Sequence, residues 1–104
     1  MSDTIQYGLS KKTIENLHSI FSKFKKIDQV ILYGSRAMGN FKTGSDIDLT
    51  LVGPSLQMDD LLRIEGEVDD LLLPYKVDLS LIHNIDDPEV LDHITRVGVV
   101  FYSA

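Results

Sequence analysis

The sequence contains no cysteine and no tryptophan, and it has only 3 prolines among its 104 residues. Without cysteine the chain has no disulfide framework, no thiolate nucleophile and no cysteine-ligated zinc site. No apolar run reaches the ~18 residues that a membrane-spanning helix needs. Residues 1–4 also lack the basic and apolar regions that begin a secretory signal. We therefore expect a soluble, cytoplasmic protein.

Basic residues are outnumbered, with 10 Lys and Arg against 16 Asp and Glu, which gives a net charge of −6 at pH 7. A chain of this sign repels phosphate polymers, which argues against extended nucleic-acid binding. Apolar residues make up 43% of the sequence and charged residues 25%, a mixture typical of globular proteins. A chain of this length suits one core, so we expect a single domain over residues 1–104.

Hydrophobic periodicity, helix caps and strand breakers predict seven elements in the order α-β-β-α-β-α-β. Ser10 is expected to cap the first helix, while Asp87 followed by Pro88 should begin the last one and Gly98 should end it. This order indicates an α/β or α+β domain. The predicted elements are a helix over 11–26, strands over 30–33 and 46–52, a helix over 58–72, a strand over 76–82, a helix over 88–97 and a strand over 99–102.

The second predicted strand carries two carboxylates. Side chains alternate along a strand, so Asp46 and Asp48 share one face while Ile47 and Leu49 point into the core. Aspartate is a poor strand former, and neighbouring like charges repel, so this placement needs an explanation. If the strand that contains Asp78 lies alongside, as chain order favours, a third carboxylate joins the same face.

Three oxygen donors on an open face suit Mg²⁺, or Mn²⁺, which keeps some waters and takes further ligands from substrate phosphates. The alternative is structural: Asp46 caps the loop after Gly44, and Asp48 and Asp78 are solvent-facing residues of half-exposed strands. Each acid alone favours the structural interpretation. The spacing of all three favours the metal site.

A tight turn follows the first predicted strand. Gly34 allows close approach of a ligand to the backbone, and Ser35 supplies a hydroxyl donor. The stretch 36–39 could open a helical turn whose N–H groups point at an anion, with Arg36 making charge-assisted bonds to phosphate. A Gly-Ser pair after a strand is commonly an ordinary turn. Together with the acid pair it indicates a site for a metal–triphosphate substrate.

The string GSRAMG at 34–39, the string SDIDL at 45–49 and the later Asp78 together resemble the polymerase-β-like nucleotidyltransferase superfamily, above all its minimal nucleotidyltransferases. The resemblance covers nearly the whole chain. It implies the fold of that superfamily, a small mixed sheet with helices packed on it. It also implies transfer of a nucleoside monophosphate, from ATP in the first instance, to an acceptor hydroxyl with release of pyrophosphate.

By the same resemblance, Asp46 and Asp48 would bind two Mg²⁺ ions, and Asp78 would complete the metal site and help to activate the acceptor hydroxyl. The Gly34–Ser35 turn would hold the β- and γ-phosphates. The residues expected to contact the nucleotide are Gly34, Ser35, Arg36 and Ser45.

Minimal nucleotidyltransferases are typically paired with a small helical HEPN-type protein. The resemblance therefore implies such a partner, which the protein would serve as an adenylylating antitoxin or as the catalytic half of a two-protein transferase. The alternative is a nucleotide-binding scaffold that neutralises its helical partner without turnover. An intact set of three aspartates favours the enzyme.

The histidines are not spaced as metal ligands. His18, His83 and His93 lie far apart in the sequence, and none has an acid or another histidine at ligand spacing. We expect them to be surface residues or residues with satisfied hydrogen bonds. Core packing is the expected role of Tyr33.

Overall fold

A computed structural model describes residues 5–104 of the chain. The predicted absence of a signal sequence at residues 1–4 lies outside this range. Among the described residues, no helix has both the length and the apolar character to cross a membrane. The elements are β1 (Ile5–Gln6), β2 (Leu9–Ser10), α1 (Lys11–Ser22), β3 (Gln29–Tyr33), α2 (Ser35–Met38), β4 (Ile47–Val52), α3 (Met58–Asp69), β5 (Val77–Leu81), a 3-10 turn (Ile82–Asn84), α4 (Pro88–Val97) and β6 (Val99–Ser103).

The main sheet has four strands in the order β5-β4-β3-β6. Strand β4 pairs parallel to β5, and β3 pairs antiparallel to both β4 and β6. The parallel pair is joined through α3, as a crossover connection requires. The mixed sheet confirms the predicted fold class, and it places the strand of Asp78 beside that of Asp48.

One face of the sheet forms the hydrophobic core with α1 and α3. Ile47, Leu49 and Leu51 of β4 are fully buried there, as the alternation of the strand predicted. Helix α3 contacts both α1 and β5. The two helices contribute Leu17, Ile20, Phe21, Leu61, Ile64 and Val68 to this core. Since the core occupies this face, the aspartates of β4 and β5 belong to the opposite one.

Helix α1 begins as predicted but is shorter than predicted. The Ser10 hydroxyl accepts a hydrogen bond from the Thr13 N–H at 3.1 Å, which caps the first turn. Beyond Ser22 the backbone bonds close over three residues instead of four, and the Ile27 N–H donates to Phe24 O at 3.0 Å. These tight turns bring Ile27 into the core, where it is fully buried. The helix therefore ends before residue 26. Helix α3, predicted over 58–72, likewise ends early.

The hairpin of β1 and β2 was not predicted from the sequence. Tyr7 and Gly8 both adopt positive φ, 57° and 74°, and these two residues form the whole loop between the strands. Positive φ at both central residues matches the right-handed twist of a two-residue hairpin. Strands of two residues are too short to show a hydrophobic period, so only Gly8 signals the turn.

Helix α4 matches its predicted boundaries. The Asp87 carboxylate accepts a hydrogen bond from the Glu89 N–H at 2.9 Å, and Pro88 occupies the first helical position. Gly98 follows the last helical residue with an ordinary φ of −63°. A side chain at Gly98 would collide with Ile94 O and approach Ile31. Glycine is required there for close packing of the helix end on β3.

The first turn of α3 is stabilised by a carboxylate that should make stability depend on pH. Asp60 accepts from the Gln57 N–H at 2.9 Å and from Lys26 Nζ at 3.2 Å, and the Gln57 hydrogen bond chiefly lowers its pKa. A lowered folded-state pKa adds stability above the ordinary aspartate pKa of about 3.9, and this is lost as pH falls through the lower value. We expect Asp60→Asn to lower the free energy of unfolding at neutral pH.

Urea denaturation across pH tests this expectation. The parent and Asp60→Asn curves should converge in acid, where Asp60 is protonated in both states. Asp59→Asn is the matched control, because it removes a charge from the same turn without removing the bond to Gln57. A difference between Asp60→Asn and parent that persists unchanged into acid would contradict the assignment.

Candidate active site

Glycine at position 34 allows a carboxylate to lie against the backbone. Strand β3 ends at Tyr33, Gly34 has φ 78° and ψ −157°, and α2 begins at Ser35. This backbone conformation is open almost only to glycine. A Cβ at position 34 would collide with Oδ2 of Asp48. The glycine turn and the acid strand are therefore in direct contact, as the combined motif requires.

Asp48 and Asp78 lie side by side as register partners of the parallel strands β4 and β5. Asp46 precedes β4 and is exposed, so it approaches from the loop and not from within the predicted strand. Burial raises the pKa of Asp48, and the charges of Asp78 and then Asp46 raise it further. The structure thus brings the carboxylates into one electrostatic group centred on Asp48.

A hydrogen-bonded network lies beside the acid pair on the same sheet face. Thr50 and Ser80 are the next pair in register along that face, and the Ser80 hydroxyl donates to Thr50 Oγ1 at 3.0 Å. Burial raises the pKa of the Tyr33 hydroxyl, the nearby Ser80 side chain opposes this, and the charges of Asp48 and Asp78 add to the increase. Tyr33 therefore remains a neutral phenol at physiological pH.

The acid pair opens into a cleft of about 370 Å³. Helix α4 forms one wall, and the ends of β3, β4 and β5 form the other. The residues that line the cleft are Tyr33, Gly34, Asp48, Asp78, Asp87, Glu89, Val90 and His93. Three of the predicted site residues, Gly34, Asp48 and Asp78, therefore share one cleft.

His93 also lines this cleft, although its sequence context gave it no role. The Gly34 N–H donates to His93 Nε2 at 3.2 Å, and the imidazole lies edge-on to the Tyr33 ring with centroids 6.2 Å apart. Its position within the apolar stripe of α4, between Val90 and Ile94, was the available signal. The other two histidines are hydrogen-bonded elsewhere: His18 Nε2 lies 2.6 Å from Phe101 O, and His83 Nε2 lies 3.1 Å from Leu56 O.

The structure places Arg36 differently from the expected phosphate contact. Only 2% of the residue is exposed. Its Nε and Nη2 donate to Ser45 O at 3.1 and 2.8 Å, and its Nη1 donates to Tyr7 O at 2.8 Å. The guanidinium also lies over the rings of Phe41 and Tyr75, at 5.2 and 4.7 Å from their centroids. All three of its nitrogens are engaged, so we assign Arg36 to the packing of the loop and not to phosphate binding.

Ser45 belongs to the same packed loop. Its hydroxyl accepts from the Lys42 N–H at 2.8 Å, and its N–H donates to Lys42 O at 3.0 Å. Its carbonyl receives the Arg36 guanidinium. These contacts shape the loop that leads into Asp46. A contact of Ser45 with the nucleotide stays a prediction.

The Arg36 contacts predict a large loss of stability on substitution. Arg36→Lys should lower the free energy of unfolding by about 2–4 kcal/mol, because one ammonium cannot reach both carbonyl groups and cannot stack between two rings. Urea denaturation measures this loss. Exposed Arg96→Lys, which keeps an ion pair to Asp92, is the control and should change stability by less than about 0.5 kcal/mol. Unchanged stability with weakened nucleotide binding would restore the phosphate role of Arg36.

The carboxylates of Asp48 and Asp78 suit a divalent cation that binds together with substrate phosphates. Within residues 5–104, no three His, Asp or Glu side chains already form an ion-binding group. Mg²⁺ does not require one, since it is usually held by one or two carboxylates, several waters and substrate phosphates. Asp48 and Asp78 supply the carboxylates at an open cleft, and the like charges around Asp48 would be relieved by a cation.

Comparison with known proteins agrees with this geometry. The family model described as "Polymerase beta, Nucleotidyltransferase" matches residues 15–104. The chain belongs to this nucleotidyltransferase family. The match includes the glycine turn and all three aspartates of the motif, and it confirms the family predicted from those residues. A search of curated proteins found no significant match to this nucleotidyltransferase.

Solved structures share the fold of this nucleotidyltransferase. A toxin–antitoxin structure with AMP-PNP matches at a TM-score of 0.69 and 18% identity, over 92% of this chain and 75% of that one. The complex of tri-AMPylated Shewanella oneidensis HEPN toxin with MNT antitoxin matches at a TM-score of 0.66 and 14% identity, over 90% of this chain and 72% of that one. The toxin–antitoxin MntA-HepT matches at a TM-score of 0.67 and 13% identity, over 91% of this chain and 74% of that one. At these identities the likeness establishes the fold.

Proposed function

We propose that this nucleotidyltransferase transfers AMP from ATP to a hydroxyl group of a helical HEPN-type partner protein, with release of pyrophosphate. The observation that carries the proposal is the pair of carboxylates, Asp48 and Asp78, which lie side by side in an open cleft against the Gly34 turn. A site for metal-assisted phosphoryl chemistry needs both a carboxylate pair and a turn that admits phosphates.

The residues take distinct roles in this proposal. Asp48 and Asp78, with Asp46 at the rim, would hold Mg²⁺, with two ions expected. Bound magnesium supplies charge neutralisation at the phosphates and at the attacking and leaving oxygens. The Gly34–Ser35 turn would orient the triphosphate, with the Ser35 hydroxyl as a donor. Fixing the reactants in this way is the main contribution of the protein to the rate.

The transfer itself is an in-line displacement. The acceptor hydroxyl oxygen attacks the α-phosphorus, and the bond from that phosphorus to the pyrophosphate oxygen breaks. The hydroxyl proton passes to the Asp78 carboxylate and then to water. Asp78 suits this step because it is exposed at the cleft, whereas Asp48 is half-buried against Gly34.

The proposal of a HEPN-type partner rests on the solved structures that share this fold. Several of the similar structures are toxin–antitoxin complexes, and one contains an AMPylated HEPN toxin beside an MNT antitoxin. Asp78 is exposed at the cleft, so a hydroxyl presented by another protein can reach the acid pair. Antitoxin activity by adenylylation would follow from this arrangement.

Label transfer tests the proposal. The protein is incubated with Mg²⁺ and the HEPN-type product of the adjacent gene, with ATP labelled either at the α- or at the γ-phosphate. We expect label on the partner from α-labelled ATP only, and none with the double variant Asp46→Asn/Asp48→Asn. Label from the γ-position would indicate a kinase, and no label from either position would refute the transferase.

A second function is a scaffold that binds ATP and neutralises its partner without turnover. The observation in its favour is that several of the similar structures are toxin–antitoxin complexes, since a partner can be bound without turnover. It is distinguished by a stable complex with the partner, and inhibition of that partner, in the absence of any label transfer.

A further inference from the structure

The hydrogen bond between His93 and Gly34 joins helix α4 to the glycine turn. It links residues 59 positions apart, with the Gly34 N–H donating to His93 Nε2 at 3.2 Å. The imidazole is half-buried and packs edge-on against Tyr33, with ring planes at 79°. The proposed transfer reaction, as described above, leaves this histidine without a role.

Helix α4 holds His93 in a fixed position. Asp87 caps its first turn, and Pro88 presets the backbone there. At the other end, the absence of a side chain at Gly98 lets the helix pack closely on Ile31 of β3. A side chain carried by a helix that is anchored at both ends is a precise support for a neighbouring turn.

The direction of the hydrogen bond defines the state of the ring. A nitrogen that accepts a hydrogen bond carries no proton, so the neutral imidazole bears its proton on Nδ1. The Gly34 N–H is thereby hydrogen-bonded within the protein. Gly34 has a φ of 78° and no side chain of its own to fix this conformation. The peptide between Tyr33 and Gly34 therefore takes its orientation from His93.

We propose that His93 is a positioning residue for nucleotidyl transfer. It holds the Gly34 turn so that the Ser35 hydroxyl and the Asp48 carboxylate face the same triphosphate. Gly34 then contributes the shape of the turn, and Ser35 contributes the donor. The inference rests on the proposed function, and it adds a residue on α4 to the support of the site.

Three variants test this role through label transfer. His93→Phe removes the acceptor while keeping the ring, and we expect kcat to fall ~10–100-fold with the KM for the partner unchanged, as for other residues that orient a site. His93→Gln can accept the same bond through its amide oxygen and should restore kcat to within ~5-fold of the parent. His83→Phe, at a histidine outside the cleft, should match the parent.

An NMR measurement on the free protein separates this inference from the proposed function. Long-range ¹H–¹⁵N spectra of the neutral ring should show His93 Nε2 without a proton and Nδ1 with one. A parent with this tautomer that transfers no label would refute the transferase alone. A proton on Nε2, or a His93→Phe variant as active as the parent, would overturn the role of His93.

Discussion

We expect the replacement of Asp48 by asparagine to abolish nucleotidyl transfer and to stabilise the free protein. Transfer should fall on the order of 10³-fold or more, because the amide removes the negative charge that attracts the cation bound with the triphosphate. Stability should rise because Asp48 is half-buried beside Asp78 and Asp46, so its ionised form is disfavoured in the folded state. Opposite effects on activity and stability are typical of functional residues.

The pH dependence of the stability gain has a definite sign. Burial and the two like charges raise the pKa of Asp48 above the ordinary value. The unfolded chain therefore loses its proton first as pH rises through about 4, and the folded state is penalised at every higher pH. The advantage of Asp48→Asn should be full at neutral pH and should vanish in acid.

Urea denaturation without metal, together with label transfer, measures both effects. The matched control is Asp69→Asn, which removes one charge at the exposed end of α3 and should leave transfer intact. An Asp48→Asn variant that is less stable than the parent and still transfers AMP would contradict the assignment of Asp48.

We expect the replacement of Gly34 by alanine to lower both the stability of the protein and the rate of transfer. The substitution places a Cβ on a residue with φ 78° and ψ −157°, and that Cβ collides with the Asp48 carboxylate. We expect the free energy of unfolding to fall by about 3 kcal/mol, since backbone strain and displacement of Asp48 add together. Transfer should fall on the order of 10²-fold, because Asp48 and Ser35 no longer keep their relative positions.

Gly39 offers a matched control for the strain. It also has a positive φ, 84°, but its ψ is 4° and an added Cβ there meets no atom within 4 Å. Gly39→Ala should therefore destabilise by only about 1 kcal/mol and leave transfer close to that of the parent. Equal losses of stability and activity for the two alanine variants would show that contact with Asp48 is not what requires glycine at 34.

Local signals predicted most of the fold. Asp87, Pro88 and Gly98 define α4 through capping and close packing, which depend on a few neighbouring residues. Alternation in β4 correctly placed Ile47 and Leu49 in the core. The proximity of Asp48 and Asp78 followed from chain order alone, because strands that are close in sequence usually pair or neighbour each other.

Features that depend on distant segments were not predictable. The orientation of Arg36 depends on Tyr7 and Ser45, whose carbonyls converge only after the hairpin and the loop have packed. In the sequence alone, a charged residue next to a glycine turn indicates a phosphate ligand. Only the structure shows that the acceptors are the carbonyls of Tyr7 and Ser45. The contact of His93 with Gly34 was not predicted for a related reason. The apolar periodicity of a helix does not show which end of the sheet the helix will cover.

Paramagnetic NMR tests the central claim most directly, because Mn²⁺ can replace Mg²⁺ and broadens the signals of nearby nuclei. When Mn²⁺ is added with a non-hydrolysable ATP analogue, the amide signals around Gly34, Asp48 and Asp78 should broaden first. The same addition to Asp48→Asn should leave those signals sharp. Broadening centred on another part of the surface, or no broadening at these residues in the parent protein, would contradict a cation site at the Asp48–Asp78 pair.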